Sequence, residues 1–407
     1  MATHYAVAPA RALPRGYSGP EMQCDYFDAG ACRSCAWMGT PYDRQLADKQ
    51  ATAARTLARQ VPAAVWERPV TSPESAFRNK AKLVVGGAPG EVTLGILDGT
   101  RRGVDLRACG LYEPGLAAAI STLADFVDEL RLLPYDVPKA RGELKHLLVT
   151  HSPGGELMVR FVLRGTRQLP RIADGIPELL RRLPQATVVS ANLQPEHKAV
   201  LEGPEEIVLT DTTSLPMDLG GVRLHLRPNS FFQTNTAVTI ELYHQAREWI
   251  SDIAPRVVWD LYCGVGGFGL YAAAPGRVVR GVETSADAIT SAQRSAAELT
   301  NAGDIDFVAG DAAISPWERR WPAADLVILN PPRRGIDTRL AADLVRERTA
   351  YVLYSSCNPS TLARDIDALA GYRVMRARLF DMFPQTAHSE VLVLLARDQD
   401  RAATAAS

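Results

Sequence analysis

The residue best suited to covalent chemistry is Cys357, which directly follows an apolar run. The ten residues at 350–359, AYVLYSSCNP, are typical of a buried strand that leads into a helix. The thiol would then lie at the carboxyl end of a strand, where open α/β sheets bind their ligands. Buried cysteines also serve as small apolar residues. Cys357 by itself therefore leaves both a nucleophile and an inert thiol open.

A second set of thiols lies near the start of the chain. Cys24, Cys32 and Cys35 form a C-x7-C-x2-C run, and Cys109 is the only other cysteine before residue 263. Four thiols are the ligand set of a cubane iron–sulfur cluster or of a structural zinc ion. The spacing does not choose the metal, because zinc sites more often contain two C-x2-C pairs and this run has one. Four unrelated thiols are a further alternative.

The composition describes a globular protein of more than one domain. A chain of 407 residues exceeds one ordinary hydrophobic core. The net charge of -1 does not point to a nucleic acid, but residues 131–182 contain ten Lys or Arg against five acids. This basic stretch fits either a site for a polyanion or an ordinary charged surface.

The sequence also bears on where the protein works. No apolar run is long enough to cross a membrane, and the N-terminus lacks the long apolar core of a signal peptide. We therefore expect a cytoplasmic protein whose thiols stay reduced. The predicted organisation is a flexible tail at 1–22, an α+β domain at 23–220, a second domain at 221–400 and a short tail at 401–407.

Three cations, Arg78, Lys80 and Lys82, stand at alternate positions of the segment FRNKAKLVVGG. In a strand, this period of two puts them on one face. That face could contact phosphates, or it could be the solvated side of an edge strand. The pattern alone is compatible with both.

From residue 256 onward, short apolar strands alternate with helical segments, which predicts a parallel, doubly wound sheet. Its first turn, DLYCGVGGFGL, contains Gly264, Gly266 and Gly269 in a G-x-G-x-x-G pattern that lets a ligand approach the backbone. Glu283 ends the second strand, 23 residues after Asp260, and suits a bidentate contact with ribose hydroxyls. An NAD site would show the same features.

The later strands favour S-adenosylmethionine over NAD. The fourth strand ends in the turn Asn330, Pro331, Pro332, which many S-adenosylmethionine methyltransferases place beside the sulfonium. The sixth and seventh strands form a terminal hairpin, which these methyltransferases have and nucleotide dehydrogenases lack. The sequence therefore predicts an α/β, class I S-adenosylmethionine-dependent methyltransferase fold with a doubly wound, seven-stranded sheet.

A thiol beside a methyl donor suggests methylation of a pyrimidine carbon. Uracil C5 is a poor nucleophile, but addition of a thiolate at C6 makes it enolate-like. A general base must then remove the C5 proton before the thiol leaves. Glu390 opens the seventh strand at the same edge as Cys357 and is the candidate base, although it could simply be a charged residue at a strand end. His388 is a second candidate.

Several motifs together resemble the RNA uracil-C5 methyltransferase family. They are SSCNPST, NPPRRG, DLYCGVGGFGL, SFFQTN, FRNKAK and TAHSEVL, and the resemblance extends over about residues 22–397. The C-x7-C-x2-C run and the distant Cys109 are similar to the branch of this family that acts on 23S ribosomal RNA. The resemblance therefore implies this RNA as the partner, with neither a membrane nor a protein partner indicated.

The resemblance also implies roles for individual residues. Cys357 would be the nucleophile and Glu390 the proton acceptor. A [4Fe–4S] cluster, which we expect to be structural, would be held by Cys24, Cys32, Cys35 and Cys109. The S-adenosylmethionine site would include Gln233, Tyr262, Glu283 and Asn330. Gln233 would also be near the target base, as would Arg333, and Cys263 would have a packing role only.

Two alternative functions stay open. One is methylation of uracil C5 in transfer RNA, against which the four upstream cysteines argue by resemblance. The other is a metal-bearing RNA-binding protein whose methyltransferase fold is inactive. This second alternative has to explain why the complete candidate set is present, namely Cys357, Glu283, Asn330 and Glu390.

Overall fold

The computed structural model describes residues 22–300 and 302–398 of the chain. Apart from Met22, both predicted tails lie outside the described residues. The described residues form two seven-stranded sheets and a two-stranded hairpin. None of the helices in these two ranges combines the length and the apolar character that crossing a membrane requires.

The first sheet is built from seven strands and is covered on one face by two helices. The strands are β1 Lys80–Ala88, β2 Glu91–Leu97, β3 Gly103–Asp105, β4 Leu144–His151, β5 Leu157–Leu163, β6 Ala186–Leu193 and β7 Glu205–Val208. The helices of this half are α1 Asp25–Asp28, α2 Tyr42–Thr56, α3 Pro114–Glu129 and α4 Leu169–Arg182, with a 3-10 turn at Ala63–Val65. The strand order is β3-β2-β1-β4-β5-β6-β7, and only β5 and β6 are parallel.

The side chains of β1 alternate between the two faces of this sheet, as the period of a strand requires. Leu83 and Val85 are buried in the core that the sheet forms with α3 and α4. Lys80 and Lys82 point to the opposite face, but Lys80 is half-buried, and this burial lowers its pKa to about 8. Arg78 precedes the strand. Lys82 is therefore the more exposed of the two lysines.

Several cations of the basic stretch are committed to ion pairs. Arg160 is 2% exposed and pairs with Glu202 at 2.8 Å and with Glu206 at 2.6 Å. Arg182 pairs with Glu129 at 2.7 Å. The surface of this stretch is therefore less basic than its composition predicts.

The second sheet has the doubly wound order. Its strands are β10 Val257–Leu261, β11 Val278–Glu283, β12 Asp304–Ala309, β13 Leu326–Leu329, β14 Tyr351–Ser356, β15 Tyr372–Phe380 and β16 Glu390–Arg397, preceded by the hairpin of β8 Leu215–Asp218 and β9 Arg223–Leu226. The helices are α5 Thr236–Ile253, α6 Gly267–Ala272, α7 Ala286–Glu298, α8 Ser315–Glu318, α9 Thr338–Arg346 and α10 Pro359–Ala368.

These strands are ordered β12-β11-β10-β13-β14-β16-β15. All neighbours are parallel except β16, which runs antiparallel to both β14 and β15. The predicted α/β methyltransferase fold, with its seven-stranded sheet and terminal hairpin, is confirmed. Because β15 runs in the same direction as β14, the turn between β15 and β16 lies at the edge where the parallel strands end.

Helix α2 and the chain that follows it, as far as Val70, pack with the second sheet. Ala53 of α2 and Leu57, which directly follows the helix, are buried among helices and strands of the C-terminal half. Further along, Val70 forms a parallel bridge with Phe380 of β15 and covers part of that edge strand. The sequence predicted that all of residues 23–220 belong to the first domain. It gave no sign that this segment packs with the second sheet, because contacts between distant segments leave no local pattern.

The predicted boundary at Gly220 and Gly221 is the turn of the β8–β9 hairpin, where both glycines have a positive φ. Leu215 and Leu224 of this hairpin are buried in the core of the second sheet. The chain therefore joins the second core before the two glycines.

Candidate active site

Four strands of the second sheet end side by side, and each leads to a predicted site residue. Tyr262 follows β10, Glu283 ends β11, Asn330 follows β13 and Cys357 follows β14. These strands are parallel neighbours, so their carboxyl ends share one edge, where doubly wound sheets bind ligands.

The glycine turn after β10 leaves open space beside the backbone. Gly264 and Gly266 have φ of 54° and 84°, in the left-handed region that favours glycine. A Cβ at Gly264 would meet no atom within 4 Å, whereas a Cβ at Gly267 would lie 2.3 Å from the Tyr243 hydroxyl oxygen. The turn is therefore packed tightly on the protein side and forms an open cradle on the other.

Asp260 holds this turn from within the sheet, a role that the sequence analysis did not assign. It is completely buried, and its Oδ2 accepts a hydrogen bond from the Gly269 amide at 2.7 Å. Its Oδ1 has no hydrogen-bond partner among the described residues. Burial raises the pKa of Asp260 to about 7. The signal in the sequence is an acid inside an apolar strand, which is costly unless it is hydrogen-bonded.

Glu283 is held across the mouth of the glycine turn. Its Oε2 accepts a hydrogen bond from the Gly264 amide at 3.3 Å, and its Oε1 accepts from the Thr284 hydroxyl at 2.8 Å and the Ser285 amide at 3.0 Å. The carboxylate is therefore fixed in orientation. It also keeps acceptor capacity for a ligand hydroxyl, because two carboxylate oxygens offer about four lone-pair sites.

Tyr262 has a backbone conformation that few non-glycine residues adopt. Its φ is 65°, and such strained positions are concentrated at functional sites. The side chain is half-buried, and burial raises the pKa of the phenol to about 12. Asn330 is also half-buried at this edge. Neither side chain is sealed in the core, so both can contact a ligand.

Gln233 lies on the loop between β9 and α5, and the first domain fixes that loop. The Asn79 side chain donates from Nδ2 to the Gln233 carbonyl oxygen at 3.1 Å. The backbone amide of Asn79 donates to the Thr234 carbonyl oxygen at 2.9 Å. On the same loop, Phe231 is 76% exposed, which is unusual for a large apolar side chain and marks a contact surface.

Cys357 is half-buried, and the Arg333 guanidinium lies between it and the β15–β16 turn, lining the same cleft. Burial raises the pKa of the thiol most and the Glu390 carboxylate raises it further, whereas the nearby Arg333 guanidinium lowers it. Arg333 also donates from Nη2 to His388 Nδ1 at 3.1 Å. The guanidinium therefore lies near the thiol and contacts the imidazole of the turn.

Glu390, the first residue of β16, lies behind this group. It is 3% exposed, and its Oε1 accepts a hydrogen bond from the Ser355 hydroxyl at 2.5 Å. Burial raises the pKa of its carboxyl to about 7. A carboxyl with this pKa exchanges a proton readily at neutral pH, which is the property of a general base.

A cleft of about 410 Å³ opens beside the thiol, and we call it the thiol cleft. Cys357, Arg333 and His388 line it together with Trp37 and Lys49 from the N-terminal segment. The cleft is therefore shared by the C-terminal sheet and the segment that follows the upstream cysteines. Sequence reasoning missed Trp37 and Lys49, because nothing local to them indicates this contact.

The N-terminal segment is fastened to the turn that carries the candidate base. The Trp37 amide donates to the Gln385 carbonyl oxygen at 3.0 Å, and Gln45 Nε2 donates to Gln385 Oε1 at 2.9 Å. The buried ammonium of Lys49 pairs with the buried carboxylate of Asp381 at 2.5 Å. These contacts fix the position of the turn relative to the cysteines.

The four upstream cysteines are neighbours in space. The pKa of Cys35 is raised to about 11, first by burial and then by the charges of Cys109, Cys32 and Cys24. None of these cysteines forms a disulfide. Across residues 22–300 and 302–398, however, no three His, Cys, Asp or Glu side chains converge closely enough to hold a metal ion. The thiols are therefore gathered without being in ligand geometry.

The fold and the glycine turn define an S-adenosylmethionine-dependent methyltransferase, and the family model "Methyltransferase small domain" matches residues 246–352. A second family model, "tRNA (Uracil-5-)-methyltransferase", matches residues 321–398. The structure is similar to that of the tRNA (uracil-54, C5)-methyltransferase of Pyrococcus abyssi in complex with S-adenosyl-L-homocysteine. The TM-score is 0.76 at 27% identity, and the match covers 90% of this chain and 85% of that one.

Relatives of higher sequence identity identify the family of the chain more narrowly. It is 46% identical over 379 residues to the 23S rRNA (uracil(747)-C(5))-methyltransferase RlmC of Cronobacter sakazakii, covering 93% of this chain and 100% of that protein. It is 46% identical over 377 residues to the RlmC of Yersinia pseudotuberculosis, covering 92% and 99%. The chain belongs to the RlmC family of RNA uracil-C5 methyltransferases, which confirms the resemblance and the predicted class of enzyme.

Proposed function

We propose that this protein methylates C5 of one uridine in 23S ribosomal RNA in the cytoplasm, with S-adenosylmethionine as the methyl donor. The target would be the counterpart of the uracil 747 that names its relatives. The observation that carries the proposal is the half-buried thiol of Cys357 beside the buried carboxyl of Glu390. A nucleophile next to a proton acceptor is what C5 methylation of a uracil requires.

Cys357 begins the reaction by adding its sulfur to C6 of the uracil. The C5–C6 double bond opens, and its electron pair becomes available at C5 as an enolate. Arg333 promotes this step, because its nearby positive charge favours the thiolate over the thiol. S-adenosylmethionine supplies the methyl group that forms the new bond at C5.

Glu390 completes the reaction by accepting the proton from C5. The electrons of the broken C–H bond restore the C5–C6 double bond, and the bond between C6 and the Cys357 sulfur breaks to release the thiolate. The Ser355 hydroxyl holds the carboxyl in place at 2.5 Å. His388 is less suited to this role, because its Nδ1 already accepts a hydrogen bond from Arg333.

We assign the S-adenosylmethionine site to the glycine turn and the residues around it. Gly264 provides the open cradle, and Glu283 is oriented to accept hydrogen bonds from ribose hydroxyls. The remaining positions are Gln233, Tyr262 and Asn330. Their partial exposure at one side of the molecule supports this assignment.

The rate of methylation is expected to rise with pH between about 6 and 9. Glu390 accepts a proton only when ionised, and its pKa is about 7. Cys357 attacks only as a thiolate, and burial raises its pKa above the ordinary thiol value. Below pH 6 the single-turnover rate should therefore fall by about tenfold or more per pH unit. A rate that stays constant between pH 6 and 9 would contradict these protonation states.

The four upstream cysteines are proposed to hold a [4Fe–4S] cluster. The donor set is that of a four-thiolate cluster, and the mutual effect of the thiols on their pKa values supports their proximity. Because the next residues are bound to the β15–β16 turn through Trp37 and Gln385, the cluster would stabilise the wall of the thiol cleft. We assign it this structural role and no part in the reaction.

Protein prepared without oxygen is expected to be brown and to contain about four iron atoms per chain. Cys109→Ser should lower the iron content, because it removes one of the four ligands. Cys263→Ala is the matched control, since this buried thiol lies outside the cluster, and its iron content should match the wild type. One zinc per chain without iron would refute the cluster.

Methylation of transfer RNA is the second candidate function, because the structural relative from Pyrococcus abyssi is named for it. The two candidate functions are distinguished by incubating the protein with ribosomal and transfer RNA transcripts at equal concentration and with labelled S-adenosylmethionine. We expect labelling of 23S rRNA, with 5-methyluridine as the product nucleoside. Labelling of the transfer RNA alone would reverse the assignment.

A further inference from the structure

A second cleft, of about 550 Å³, lies on the first sheet, and we call it the sheet cleft. Its floor includes Val84 of β1 and His146 of β4, which are paired in the sheet, and Leu97 of β2. Its rim includes Val200, which is 48% exposed. The volume lies within the range of small-molecule sites.

Two aromatic rings form part of this cleft. The hydroxyl of the buried Tyr135 forms a hydrogen bond with Nδ1 of the exposed His197 at 2.7 Å. The Lys145 ammonium lies 4.8 Å from the centre of the Tyr135 ring. The hydrogen bond orients the imidazole at the rim, and an oriented ring is a surface on which a planar base can stack.

His146 contributes a polar atom that lacks a partner. Its Nδ1 is buried and makes no hydrogen bond to any residue that the structure describes. Burial and the charge of Lys145 lower the pKa of His146 to about 4, so the ring is neutral at pH 7. A neutral imidazole nitrogen can donate or accept one hydrogen bond, and a ligand in the cleft would satisfy it.

The lining of the sheet cleft is positively charged. Arg101, Lys145 and Lys198 line it together with a single acid, Glu196. Lys198 and Glu196 pair at 3.1 Å, while Arg101 is exposed to solvent. Because the Lys145 ammonium is buried and donates to the Glu196 carbonyl oxygen at 2.6 Å, Arg101 is the cation that is placed to bind a ligand phosphate.

The same face of the sheet leads from this cleft towards the active site. Lys80, Lys82 and Val84 share that face, since the residues between them are buried in the core. Asn79, just before Lys80, binds the carbonyl oxygen of Gln233. At about 3.3 Å per residue, the chain spans about 17 Å from Asn79 to Val84. An extended RNA segment of a few nucleotides bridges such a distance.

We propose that the sheet cleft binds one unpaired nucleotide of the RNA substrate, a few nucleotides from the target uridine. Its base would stack on His197 and form a hydrogen bond with His146, and its phosphate would lie near Arg101. This inference rests on the proposed RNA methylation. The enzyme would then recognise a uridine that lies at a fixed distance from a second unpaired nucleotide, because the two clefts are a fixed distance apart. This is a recognition of RNA shape.

The test is an abasic scan of a 23S rRNA stem-loop that contains the target uridine. Each unpaired nucleotide other than the target is replaced in turn by an abasic residue, and binding to the full chain is measured by fluorescence anisotropy. We expect one replacement to weaken wild-type binding by about tenfold. In His197→Ala and Val200→Asp the intact RNA should bind more weakly, and the same abasic replacement should cause no further loss.

Leu133→Asp is the matched control, because it adds the same charge at another exposed apolar residue, 38% exposed, outside the sheet cleft. In this variant the abasic replacement should weaken binding as much as it does in the wild type. The proposal is overturned if this weakening persists in both cleft variants, or if no replacement outside the target weakens binding. Methyl transfer by the wild type is measured in parallel. Its absence would refute the proposed function, while the binding comparison would still decide the role of the cleft.

Discussion

Cys357→Ala is expected to lower the rate of methyl transfer to RNA by about 10⁴-fold or more, the scale at which enzymes lose activity without their nucleophile. Within the described residues, Cys357 is the only thiol that lines the thiol cleft. Arg333 would keep its contact with His388 but would have no thiolate to stabilise. The measurement is incorporation of labelled methyl groups into 23S rRNA, together with a thermal melt that shows the fold to be intact.

Cys263→Ala is the matched control for this experiment. Cys263 is buried near the glycine turn and packs in the core of the second sheet. We expect this variant to keep most of its activity and to lose about 1 kcal/mol of stability, because only a small side chain is truncated in the core. Undiminished turnover in Cys357→Ala would rule out the covalent mechanism.

Glu390→Gln is expected to stop the reaction after methyl transfer. The amide cannot accept the C5 proton, so the bond between the sulfur and C6 cannot break. The variant should therefore accumulate a covalent complex of protein and RNA that survives a denaturing gel. Its fold should persist, because the wild-type carboxyl is buried with a pKa of about 7 and tolerates a neutral state.

The double variant Cys357→Ala, Glu390→Gln is the control for this complex. It should form none, since the bond that is trapped begins at the Cys357 sulfur. If Glu390→Gln turns over normally and no complex forms, Glu390 is not the base. His388 would then be the next candidate, as a ring in the thiol cleft itself.

The C-terminal sheet and its edge could be predicted because the relevant information is local. Each strand there is a short apolar run that ends in a polar residue, and parallel strands must align such ends. This reasoning alone brought Glu283, Asn330 and Cys357 to one edge. It also placed Glu390 beside them, because the direction of β15 follows from the terminal hairpin.

Contacts between distant segments could not be predicted. Arg333 is visible in the motif NPPRRG, but its position beside Cys357 and its contact with His388 depend on how two loops meet. Likewise, Lys49 belongs to a helix far from Asp381 in sequence, and only the folded chain pairs them. Local periodicity carries no information about such pairs.

The surface charge was the weakest part of the sequence reasoning, for a physical reason. A count of cations cannot tell a free side chain from one that is buried in an ion pair. Arg160 contributes to the basic stretch by composition, yet it is neutralised by Glu202 and Glu206 inside the protein. Lys80 is half-buried, so it too contributes less to the surface charge than the count suggests.

The central claim is most directly tested by a mass spectrum of the protein after reaction with 23S rRNA that carries 5-fluorouridine at the target. Fluorine at C5 cannot leave as a proton does, so the reaction should stop with the methylated base bound to the protein. We expect a stable complex that requires S-adenosylmethionine, with the nucleotide attached to the peptide that contains Cys357. The absence of a complex, or attachment to another residue such as Cys263, would contradict the account.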